Sequence, residues 1–114
     1  MRSIEELVKM FVDASMRLEE AESVGNSKIV NQQYDKLRKI REELKEIGDE
    51  AMESLISLIN HENIYVRYNA AYSIIPVNPE KAKEALNEIS NARGLIGFTS
   101  KMTLREWENG NLKF

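Results

Sequence analysis

The chain has no cysteine, five glycines, two prolines, one histidine and one tryptophan in 114 residues. Without cysteine there are no disulfides, no thiolate nucleophile and no Cys-ligated metal. A reducing cytoplasm suits such a chain, and a cytoplasmic location is the expectation. One histidine falls short of the roughly three ligands of a catalytic zinc or four of a structural one. It also leaves no Ser-His-Asp set to assemble beyond a single base, and no G-x-S-x-G turn occurs. No apolar run nears the ~18 residues of a membrane span, and no secretory leader pattern opens the sequence. The scarcity of glycine and proline, beside abundant Glu, Lys, Leu, Ile and Ala, favours helix. No stretch alternates with period two.

What is present is helical periodicity with short breaks. Ser3 and Glu6 form a capping-box pair, and Ile4, Leu7, Val8, Phe11, Ala14, Ser15 and Leu18 recur at spacings of three and four. This predicts a helix over 3–23, ended by Gly25 and Asn26. A second is predicted over 27–47, with Val30, Tyr34, Leu37, Ile40 or Arg41, Leu44 and Ile47 as its stripe and Gly48 as its stop. Asp49 reads as the cap of a short, very apolar third helix over 51–59, apolar enough to lie in the middle of the fold. Asn63 caps a fourth over 64–75, stopped by Pro76. Asn78-Pro79 opens a fifth, with Ala82, Ala85, Leu86 and Ile89 inward. Gly94 and Gly97 read as bracketing a turn. Thr99 then caps a last helix to Glu108, with Phe98 as its hydrophobic staple and Leu104 and Trp107 closing the open end of the stack. The expectation is all-α, about six helices, in one domain spanning residues 1–114.

Residues 51–75 resemble a HEAT repeat: an apolar first helix with Leu55 and Leu58, a polar turn, then Val66-Arg67, the small pair Ala70-Ala71 and Ile74. Gly94-Leu95, Phe98, Met102-Thr103-Leu104, Glu106-Trp107, Gly110 and Leu112 resemble the closing motif of a small bacterial family of unknown function. That family has a HEAT-like α–α superhelix fold. The resemblance runs from about Ile4 to Leu112. It implies a short right-handed helical stack and no enzymatic activity.

Net charge is −3, which argues against a dedicated nucleic-acid binder. The total hides a polarity: residues 1–24 sum to −3, 25–48 to +2 and 49–77 to −3. Lys36, Arg38, Lys39, Arg41 and Lys45 crowd the second helix, and the first four form a candidate phosphate-binding strip, the basis of an alternative reading as a nucleic-acid or phosphate binder. The same residues also read as a solvated face knitted by pairs such as Asp35–Lys39 and Arg38–Glu42. The carboxylate doublets, for example Glu19-Glu20 and Glu42-Glu43, lie on predicted solvent faces and lack the burial that general acids need. His61 reads as a surface turn residue.

Tyr65, Tyr68, Asn69 and Tyr72 share one side of the fourth helix and are the candidate partner-binding residues, since Tyr is enriched at binding hot spots. Against this stands packing of the rings on neighbouring helices, with only the hydroxyls wet. The leading functional expectation is a non-enzymatic protein–protein interaction module, of which an immunity or antitoxin-type protein is one form. No catalytic residue, cofactor, metal site or membrane association is expected.

Overall fold

A computed structural model describes residues 2–112. The ends of the expected domain, Met1 and residues 113–114, lie outside them. The described residues form six α-helices and one 3₁₀ segment, with no strand. α1 (Ile4–Ser23) starts at the expected capping box, the Ser3 hydroxyl accepting from the Glu6 amide at 3.1 Å. A tight turn with Gly25 at φ +70° leads into α2 (Ser27–Ile47), and the two helices pack side by side as a hairpin.

The third expected helix takes a different form. α3 (Asp49–Glu53) begins two residues earlier than the apolar pattern suggests, so Asp49 is its first residue and not its cap. From Ser54 to Asn60 the chain tightens into a 3₁₀ helix. Leu55 and Leu58 are three apart, so in a 3₁₀ helix they fall on the same side, and both are buried.

α4 (Ile64–Ser73) is capped as expected: the Asn63 side chain accepts from the amides of Tyr65 at 2.9 Å and Val66 at 3.1 Å. The Asn63 amide also donates to Glu19 at 2.9 Å, tying the cap to α1. α4, not the third segment, is the centre of the fold. It packs against α1, the 3₁₀ segment, α5 and α6. Its sequence permits this because Ala70, Ala71 and Ser73 are small and wholly buried, so neighbours approach it from several directions. Replacing Ala70 with leucine forces extra volume into this contact, and a loss of ~1–3 kcal/mol in urea unfolding is expected. An unchanged midpoint would show that the seam has slack there.

α5 (Pro79–Ile89) follows Pro76, with the Asn78 side chain accepting from the Lys81 amide at 3.2 Å. α6 (Leu95–Glu108) starts four residues before the expected cap. Gly94, at φ +87°, makes the entry, while Thr99 sits inside the helix and its carbonyl accepts from the Thr103 hydroxyl at 3.0 Å. Gly97 is therefore a helix residue rather than a turn residue, buried against the preceding chain. Phe98 does not act as a staple and remains 60% exposed. Leu104 and Trp107 lie half-buried against the core. Among the described residues no helix is long and apolar enough to cross a membrane.

Candidate functional site

α2 and α4 flank a groove that holds two adjoining hollows, of about 390 and 280 Å³, with Arg38, Arg41 and Tyr72 shared between them. The α2 side is built from Tyr34, Arg38, Arg41 and Lys45. These sit at spacings of four, three and four, so one face of the helix presents them together. The α4 side supplies Tyr68, Asn69, Tyr72 and Ser73.

Arg41 is the central group. Its guanidinium carbon lies 5.1 Å from the centre of the Tyr72 ring, within cation–π range, and Nη1 donates to the Ser73 hydroxyl at 3.3 Å. Ser73 is held in turn, donating to the Asn69 carbonyl at 2.7 Å. The Asn69 side chain donates to the Ser15 hydroxyl at 3.2 Å, and Ser15 donates to the Phe11 carbonyl at 2.9 Å. A chain of hydrogen bonds thus runs from the groove through α4 to the middle of α1. Burial opposes the charge on Arg41, and the nearby oxygens of Tyr72 and Tyr68 partly offset it. An arginine stays protonated regardless.

The tyrosine row is not presented to a partner in the way its spacing suggests. Tyr65 is 9% exposed, Tyr68 7% and Asn69 3%. Their polar ends are occupied: Tyr65 donates to the Glu22 carboxylate, Tyr68 shares a 2.7 Å hydrogen bond with Thr103, and Asn69 is taken by Ser15. Each is covered because α4 is packed from several sides. Tyr72 alone of the four is half-exposed, its ring stacked on Tyr68 with centroids 6.4 Å apart.

Nor do the four basic residues form one strip. Arg38 and Arg41 face the groove, whereas Lys36 borders a separate hollow beside the α1–α2 turn. Lys39 is exposed and lines neither groove hollow. Arg38 is held at 3.1 Å from Glu42 and 3.8 Å from Asp35, so it pairs with Asp35 where Lys39 was expected to. Tyr34 and Ser73 belong to the groove but carry no site role in the sequence reading, where Tyr34 falls in the apolar stripe of α2; Lys45, one of the basic residues crowding that helix, joins them there. The helical spacing that joins Tyr34 to Arg38, Arg41 and Lys45 is the signal that could have found it. Ser73 carries no such signal. Among the described residues no group of three or more His, Asp or Glu side chains is placed to hold a metal ion.

Burial pushes the Tyr68 phenol up to about 12, against an ordinary value of about 10. Between those values the unfolded chain has lost a proton that the folded chain keeps, so stability falls as pH rises. The contribution is whole below about pH 10 and gone above about pH 12, a loss of roughly 2–3 kcal/mol. Tyr65 shifts the same way through burial and its bond to Glu22. Denaturant unfolding across this range should show the decline, and Tyr68→Phe should flatten it. An equally steep decline in Tyr68→Phe would remove Tyr68 as its source.

The model of a domain of unknown function, DUF2019, matches residues 5–107. No curated protein matches the chain. Among solved structures, the crystal structure of the protein RPA1889 from Rhodopseudomonas palustris CGA009 superposes with a TM-score of 0.93 at 24% identity, covering 100% of this chain and 95% of that one. At that identity the likeness concerns the fold alone.

Proposed function

The chain belongs to the DUF2019 family, and for this member of a family of unknown function we propose the role of a cytoplasmic, non-enzymatic protein-binding module that works through the α2–α4 groove. The observation that carries this reading is the groove itself: Tyr34 and Tyr72 stand at its surface beside Arg38 and Arg41. Tyrosine and arginine dominate binding hot spots because they combine large, stiff contact area with polar tips. We read the helices as a short HEAT-like stack in which α2 and α4 line the concave side. An immunity or antitoxin-type protein, which works by covering another protein, is one form this role takes.

The strip of Lys36, Arg38, Lys39 and Arg41 supports a phosphate-backbone reading poorly, because its members point to different sides of α2.

The test is affinity purification of the full chain with the product of the neighbouring gene, followed by titration of the recovered pair. Tyr34→Ala combined with Tyr72→Ala should weaken the complex at least about tenfold, one hot spot's worth, in a chain that still folds, as its circular dichroism spectrum would show. Recovery of no partner, or an affinity untouched by the double substitution, would overturn the reading.

A further inference from the structure

Arg41 is half-buried, yet among the described residues no carboxylate stands at ion-pair distance from it. The acids beside it, Asp35 and Glu42, are both engaged by Arg38, at 3.8 and 3.1 Å. Its protein contacts are a hydroxyl, Ser73, and an aromatic face, Tyr72. A guanidinium has more N–H donors than that arrangement uses, and its planar fork fits a carboxylate with two parallel hydrogen bonds. Withdrawing such a charge from water is costly unless an acceptor compensates.

The larger hollow beside Arg41 has a volume of about 390 Å³, within the range of small-ligand sites. Met52, Pro76 and Val77 give it an apolar wall, and Arg38 and Lys45 add a second and a third cation. Glu42 and Asp49 also border it, so three cations face two carboxylates and the balance is +1. That balance suits a single negative charge better than a doubly charged phosphate.

We infer that this hollow binds a carboxylate attached to an apolar body, with Arg41 holding the carboxylate and Met52, Pro76 and Val77 covering the rest. The inference rests on the same groove as the proposed protein interaction and supplies its chemistry. The carboxylate belongs either to an acidic side chain or chain end of the partner, flanked by an apolar group, or to a free small molecule.

Sodium benzoate is the probe, with benzyl alcohol as its neutral counterpart, titrated at constant ionic strength into the full-length, isotope-labelled chain. Amide and arginine Nε–H signals are followed by NMR. Benzoate should give saturable shifts centred on Arg41, Tyr72, Ser73 and Val77. Benzyl alcohol should bind at least about tenfold more weakly, the value of one charge-assisted hydrogen bond. Arg41→Met should remove the difference between the two probes. Should that variant fail to fold, Arg41→Lys serves instead; it keeps the charge, loses the fork and should weaken benzoate several-fold. Lys36→Met, on the far flank of α2, should change nothing. Equal binding of the two probes, benzoate binding unchanged by Arg41→Met, or no saturable shift would each overturn the inference.

The source of the carboxylate follows from competition. Displacement of the captured partner by excess benzoate assigns it to the partner. Benzoate binding that leaves the partner in place assigns it to a free molecule. Partner capture that is lost in Tyr34→Ala with Tyr72→Ala, in a chain that does not bind benzoate, overturns the carboxylate anchor and leaves the binding module standing. Benzoate binding with no partner recovered does the reverse.

Discussion

Gly97→Ala should destabilise the fold by about 3 kcal/mol or more, the opposite of what this substitution does in an ordinary helix. Within a helix, alanine in place of glycine normally gains ~1 kcal/mol, because glycine loses more backbone freedom on folding. At Gly97 a Cβ would stand 1.9 Å from the carbonyl oxygen of Ala92 and 2.9 Å from its carbonyl carbon. Those are backbone atoms of the turn leading into α6, so no side-chain rotation relieves the clash. Either the turn or the first part of α6 has to move. One helical turn further on, the Ser100 hydroxyl donates to the Leu86 carbonyl at 2.7 Å and binds α6 to α5, so a displaced α6 also strains this buried bond. At roughly 4 °C per kcal/mol for a domain of this size, the melting temperature should fall by about 10 °C or more. A rise, or no change, would show that the turn yields freely and that the close approach is not required.

Gly97 also shows where local reading stops. A glycine is used for a positive φ or for a close approach, and the two uses look the same in a sequence. Gly25 and Gly94 serve the first, at φ +70° and +87°, and were legible as breaks. Gly97 serves the second, which depends on where Ala92 lies in space. Features fixed by neighbouring residues were legible at most helix starts, with Asp49 and Thr99, which lie inside helices, as the exceptions. The caps at Ser3, Asn63 and Asn78 each need only a side-chain oxygen a few residues before the amide it receives, and all three hold the bonds expected of them. The length of α2 follows from its stripe and from Gly48. The 3₁₀ turn over Ser54–Asn60 was not legible, because Leu55 and Leu58 at a spacing of three fit either kind of helix.

The site was legible in its residue types and not in its grouping. Periodicity places Tyr65 and Tyr68 on one side of α4, but their covers, Glu22 and Thr103, lie 43 and 35 positions away in the chain. Nothing local announces them. Likewise the basic residues of α2 were plain, while their division between groove and outer flank depends on where α4 stands. The acids that separate Arg38 from Arg41 were legible, since Arg38 has Asp35 and Glu42 within one turn on its own helix and Arg41 has only Leu37, Arg38, Leu44 and Lys45 there; the setting of Arg41 against Tyr72 and Ser73 depends on the assembled helices.

Phe11→Ala should cost ~3–5 kcal/mol, the loss expected when a buried aromatic ring leaves an unfilled space. Phe11 is wholly buried and is the largest such side chain among the described residues. Domains of this kind are stable by only ~5–15 kcal/mol, so much of the total is at stake. The melting temperature should drop by roughly 12–20 °C. Phe11→Leu keeps most of the volume and should cost under about 1.5 kcal/mol if the neighbours repack. The damage should also reach the groove. The Phe11 carbonyl ends the hydrogen-bond chain through Ser15, Asn69 and Ser73 to Arg41, so a shift of α1 around the cavity disturbs the register of α4 against it. The Arg41 Nε–H and Ser73 signals should therefore move in Phe11→Ala, although both residues are remote from Phe11 in sequence. A melting temperature within a few degrees of the parent would mean that the neighbours close the cavity. Unmoved groove signals in a destabilised protein would mean that the chain of hydrogen bonds does not transmit the displacement.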